Sequence, residues 1–112
     1  GNIRAGLFSN NKEISDAIFN SGEITGEKVW EMPLDDDYDQ LIKTEIADMK
    51  NIGGPGAGSI TAGCFLKRHI EKTPWAHLDI AGVTWQNKST PSTPSGGVGW
   101  GVKMLYHLIK QY

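Results

Sequence analysis

The stretch Trp75-Ala76-His77-Leu78-Asp79-Ile80-Ala81-Gly82 constrains this chain more than any other. Apolar residues dominate it, and Pro74 precedes it at a position where a missing N–H costs a strand ladder little. It reads as one buried strand that closes on a glycine turn. In open α/β sheets, ligands collect just past the carboxyl ends of such strands. Ala81 to Trp85 is therefore the first place to look for a binding site.

The flanking patterns supply the other layers. Ile3, Ala5 and Leu7 alternate with polar or small residues, so 2–8 reads as a half-buried strand. Ser9-Asn10-Asn11 then makes a turn able to cap a helix, in which Ile14, Ala17 and Ile18 recur at helical spacing until Ser21-Gly22 stops it. Val29 to Pro33 is extended, because a residue before proline is driven out of the helical region. Asp35-Asp36-Asp37 opens an amphipathic helix carrying Tyr38, Leu41, Ile42, Glu45, Ile46 and Met49. Another helix follows the glycine-rich run 51–58, with Ser59, Ile60, Ala62, Phe65, Leu66 and Ile70. The polar stretch from Gln86 to Gly97 shows no regular pattern. A last helix, Val98 to Tyr112, places Val102, Leu105, Tyr106 and Ile109 on one face. This order predicts an α/β fold, a partial mixed sheet flanked by helices.

Composition narrows the function. With 112 residues the chain is a single domain at most, 38% hydrophobic and 21% charged, which argues against wholesale disorder. A net charge of −2 without a basic, aromatic-interleaved stripe disfavours nucleic acid as a partner. No apolar run approaches the ~20 residues of a membrane span, and no basic-then-apolar leader opens the chain, so a cytoplasmic location is expected. The single cysteine, Cys64, lies in an apolar helical run and reads as an inert core thiol suited to a reducing compartment. A start at Gly1 that turns strand-like almost at once suggests a piece of something longer.

No group of residues assembles a reaction by itself. Gly53-x-x-x-x-Gly58-Ser59 approaches a phosphate loop but lacks the lysine that reaches the outer phosphates. Its glycines are better explained by close backbone approach at a helix start. Asp35 to Asp37 reads as solvated acids at the positive end of a helix dipole rather than as a metal site. His77 and Asp79, two apart, share a strand face and could hold a metal or orient each other, but no third ligand stands at a useful spacing. His69 and His107 sit beside lysines and arginine and read as surface residues.

Five blocks in order resemble the leucine (cytosol) aminopeptidase family. They are Ala5-Gly6-Leu7-Phe8-Ser9-Asn10, Met32-Pro33-Leu34, Ile46-Ala47-Asp48-Met49-Lys50-Asn51-Ile52-Gly53-Gly54, Ile60-Thr61-Ala62-Gly63-Cys64-Phe65-Leu66, and the strand block Trp75 to Gly82. The resemblance covers nearly the whole chain and corresponds to the C-terminal part of the family's catalytic domain. It implies a two-metal enzyme, with zinc or manganese, that releases N-terminal residues from peptides and assembles as a homo-hexamer. In such enzymes the ions polarise the scissile carbonyl and supply a bound hydroxide.

The resemblance also implies that the metal-binding carboxylates and lysine, and the catalytic lysine and arginine, all lie upstream of Gly1. On that reading the isolated segment binds no metal, holds no catalytic residue and is inactive. It would contribute part of the pocket for the substrate's first side chain through Ala81 and Thr84, the latter where the family often carries a larger apolar residue. Pro55 departs from a frequently basic position, and 90–100 is unusually rich in serine and proline. Two other readings stand beside this one: a non-catalytic module that docks a partner, and nucleotide binding at 53–59.

Overall fold

In the computed structural model, which describes residues 1–43 and 54–112, the central strand is not the Trp75–Gly82 stretch but β1, Ala5–Ser9. Alternation explains its position. Ala5 and Leu7 face one side of the sheet and Phe8 the other, and all three are buried. The chain then turns through Asn11, whose side-chain oxygen accepts the Ile14 N–H at 2.9 Å and so caps α1, Lys12–Thr25. This helix runs past Ser21-Gly22, where the sequence predicts its end, and stops at Gly26 with φ +81°. Gly22 lies inside the helix because the Glu27 carbonyl oxygen stands only 2.7 Å from where a β-carbon would be. The lack of a side chain there is a steric requirement and not a stop signal.

Strand β2, Val29–Glu31, pairs in parallel with β1, Ala5 opposite Val29. Next comes α2, Asp36–Gln40, a single short helix with exposed acids in its first turn. The expected continuation through Glu45, Ile46 and Met49 lies outside the described residues, as does the Ile46–Gly53 part of the third block. Helix α3, Gly58–Lys67, leads to β3, Ala76–Asp79, which pairs antiparallel with β1, Phe8 opposite His77. The sheet order is β2-β1-β3 and its pairing is mixed.

The predicted buried strand is thus shorter and more exposed than expected. All four β3 residues are half-buried, since within the described residues β3 pairs on one side only. Ile80 is exposed and Val83 donates its N–H to the Ile80 carbonyl, so 80–83 turns away from the ladder. The polar loop, expected to be irregular, holds a small antiparallel pair: β4, Trp85–Gln86, against β5, Gly96–Gly97. Two-residue strands leave no periodic signal to read.

The final helix, α4, Val102–Ile109, packs against α1. The shared face of this helix is its outer one. Val102, Leu105, Tyr106 and Ile109 are all exposed, while Met104 is fully buried and Leu108, one turn on, packs beside it. The buried carboxylate of Glu27 explains the register, because it accepts the Met104 N–H at 2.7 Å and pins the first turn of α4 to the end of α1.

Two apolar clusters hold the layers. One joins Ala5, Leu7, Val29 and Met104 on the α1/α4 side, and the other joins Phe8, Ile42, Ile60 and Cys64 on the α2/α3 side. Close packing of the second depends on Gly63, where an added β-carbon would lie 2.9 Å from the Phe8 ring.

Candidate functional site

The carboxyl end of β3 opens onto a cleft of about 650 Å³. Its walls come from Gly1 to Gly6, from Trp30 and Met32 at the end of β2, from Ser59 at the start of α3, and from Asp79, Ala81 and Gly82. Local chemistry shapes this end. Asp79 Oδ1 accepts the Ala81 N–H at 3.1 Å, an Asx-type turn that takes the chain out of the sheet. Gly82 has no room for a side chain, because the Gly1 backbone lies against it.

Ala81 lines the cleft and is exposed. Thr84 does not line it. Val83 between them points into the α1/α4-side core, and the half-buried Thr84 uses its carbonyl to accept the Val98 N–H at 3.0 Å. The turn brings Ala81, Asp79 and Met32 around one space and leaves Thr84 on the β4 side.

The His77–Asp79 pair does not form. His77 stacks on Trp75, with ring centroids 6.4 Å apart and an interplanar angle of 6°, and tilts against Phe8 at 5.7 Å. Asp79 is occupied by the Ala81 amide. Among the described residues no group of three His, Cys, Asp or Glu side chains is placed to hold a metal ion. A dinuclear centre needs several carboxylates converging on one point, and the donors at this cleft do not supply them.

Other sequence candidates are placed as follows. Asp35, Asp36 and Asp37 are exposed. Asp39, the next acid, instead makes a two-pronged pair with Arg68, at 2.8 and 2.6 Å, and the guanidinium holds its carboxyl below the usual range. Burial pushes the Cys64 thiol up, with the Asp39 charge adding to it, which suits an inert core residue. In the glycine loop, Gly54 and Gly56 adopt positive φ and no described atom lies within 4 Å of a β-carbon at Gly54, Gly56 or Gly58. Positive φ makes backbone conformation the role of Gly54 and Gly56, and among the described residues a close approach to a side chain is found at Gly63. His69 is exposed, but His107 is half-buried, with Nδ1 3.1 Å from Ser21 Oγ. Neither this link nor the Glu27 cap was legible in the sequence, because their partners lie 86 and 77 residues away.

The described residues form a mixed sheet flanked by helices, with a cleft at a strand end, as in a segment of an α/β domain. The chain belongs to the cytosol aminopeptidase family, whose catalytic domain matches residues 1–106. It is 50% identical over its whole length to a probable cytosol aminopeptidase of Xanthobacter autotrophicus and 54% identical to one of Phytoplasma mali. A third, from Geotalea uraniireducens, is 46% identical over 98% of the chain. The chain spans only 22–23% of the length of these relatives. Among the described residues no helix is long and apolar enough to cross a membrane.

Proposed function

We propose that residues 1–112 are the C-terminal stretch of the catalytic domain of a metal-dependent leucyl aminopeptidase, and that their task is to wall the pocket for the substrate's N-terminal side chain. The observation that carries this reading is the position of Ala81, on the cleft beyond the end of β3, in a chain of this family that covers about a fifth of its relatives. A methyl side chain at that point leaves room for a larger apolar group. Burying a leucyl side chain against Ala81 and Met32 contributes roughly 1.5–3 kcal/mol.

The two divalent ions, zinc or manganese, and the catalytic lysine and arginine belong on this reading to sequence preceding Gly1. The working enzyme is a cytoplasmic homo-hexamer acting on peptides.

Two measurements test it. In the full-length protein, Ala81→Leu is expected to lower kcat/KM for a leucyl amide by about tenfold or more, and for an alanyl amide much less. Equal effects on both substrates, or no effect, would remove Ala81 from the pocket. Separately, residues 1–112 alone are expected to hydrolyse no leucyl amide in added Mn²⁺ or Zn²⁺, and turnover by that chain would overturn the assignment of its chemistry elsewhere.

A further inference from the structure

Gly6 lies within the central strand, β1, and lines the cleft at the end of β3. Glycine weakens a strand interior, because it packs nothing on the sheet and leaves the unfolded chain more freedom. In such a place it often marks a bulge, or a point where another backbone or a ligand comes close. No bulge is present at Gly6. Ala5, Gly6 and Leu7 pair in order with Val29, Trp30 and Glu31, and Gly6 and Leu7 pair with Asp79 and Leu78. Nor does the backbone demand glycine, since Gly6 keeps a negative φ.

Crowding by the chain does not demand it either. At Gly22 a β-carbon would stand 2.7 Å from the Glu27 carbonyl oxygen, and at Gly63 it would stand 2.9 Å from the Phe8 ring. At Gly6 the three nearest atoms all belong to side chains: the Phe8 ring edge at 3.3 Å, and Asp79 Cβ and Met32 Cγ at 3.6 Å each. The Phe8 distance is just short of ordinary van der Waals contact, and the other two lie within it. A methyl at Gly6 therefore needs a far smaller adjustment than one at Gly63.

The close approach of a ligand is the explanation left. Gly6 shares its cleft with Met32, Asp79 and Ala81, and the four are tied together. Asp79 stands opposite Gly6 in the ladder, while its Oδ1 accepts the Ala81 N–H at 3.1 Å. A methyl added at Gly6 would stand between Met32 and Asp79, in the space that Ala81 borders. We propose that Gly6 is a specificity-determining residue of the pocket for the substrate's N-terminal side chain. Its missing side chain supplies the room between Met32 and Asp79 that a branched apolar group fills. This rests on the reading of the cleft as that pocket.

The test compares alanyl, valyl and leucyl amides as substrates of the full-length protein and of its Gly6→Ala variant. The variant is expected to fold, as its urea transition shows, and to lose about tenfold or more in kcat/KM for the leucyl amide. The loss is expected to be smaller for the valyl amide and smallest for the alanyl amide, whose side chain does not reach the added methyl. Equal losses on all three, or no loss, would remove Gly6 from the pocket. A Gly6→Ala protein that fails to fold would also overturn the inference, because the chain's own packing would then account for the glycine. Ala81→Leu is measured beside it. If Ala81→Leu separates leucyl from alanyl amide and Gly6→Ala does not, Gly6 alone falls. If neither variant separates them, the pocket reading falls as well, and a wild-type protein inactive on all three amides sinks the aminopeptidase reading itself.

Discussion

Two buried serines on α1 show how little a residue's identity says without its neighbours. Ser15 and Ser21 are both fully packed. Ser21 Oγ meets His107 across the α1–α4 contact, while Ser15 Oγ has no hydrogen-bond partner among the described residues. An unsatisfied buried hydroxyl costs free energy, and alanine is also the better helix former. Ser15→Ala is therefore expected to stabilise the protein by about 1 kcal/mol, and Ser21→Ala to destabilise it by a similar amount. Urea unfolding midpoints of the two variants, on opposite sides of wild type, would check both. Cys64 is the contrasting case, since its apolar helical setting already predicts the buried, inert thiol that the structure contains.

Among the elements, α3 is the one whose packing is least forgiving. Replacing a helical glycine by alanine ordinarily gains up to about 1 kcal/mol. At Gly63 the new methyl would meet the Phe8 ring at 2.9 Å and the half-buried Leu34 at 3.2 Å, and the fully buried ring has no room to withdraw. Overpacking of this kind costs about 1–3 kcal/mol, so Gly63→Ala is expected to lower stability despite the better propensity. A Gly63→Ala protein as stable as wild type would show that α3 can shift off β1. The same helix is tied to α2 by Asp39 and Arg68. Because Arg68 depresses the Asp39 carboxyl in the folded state, the pair's contribution is present above the ordinary carboxylate range, about pH 4, and is lost as pH falls through the lower folded value. The stability gap between wild type and Asp39→Asn should then narrow progressively as pH falls below about 5. A gap that stays constant over that range would dissociate the pair from acid sensitivity.

At the scale of the molecule, the uncovered surface decides behaviour in solution. A chain presenting Trp85, Val102, Tyr106 and Ile109 to water, with β3 paired on one side only among the described residues, offers both apolar area and an open ladder. Residues 1–112 prepared alone are expected to self-associate, with a sedimentation coefficient that rises with concentration over the micromolar range. A constant, monomeric value would mean that the apolar surface is tolerated in water.

Local chemistry alone was enough to determine the α/β class, the cap at Asn11, the extended Val29–Pro33 segment and the family, since each depends on residues close together in the chain or on blocks in fixed order. Tertiary structure decided what depends on contacts between distant parts. It made Ala5–Ser9 the central strand in place of Trp75–Gly82, because among the described residues β1 is the strand paired on both sides. It turned α4 so that Met104 faces inward and the face shared by Val102, Leu105, Tyr106 and Ile109 faces out, because Glu27, 77 residues earlier, holds the helix by its Met104 amide. It also parted Ala81 from Thr84 by folding Val83 into the core between them. Periodicity shows that a helix has an apolar stripe, but which neighbour covers that stripe is settled only when the layers pack.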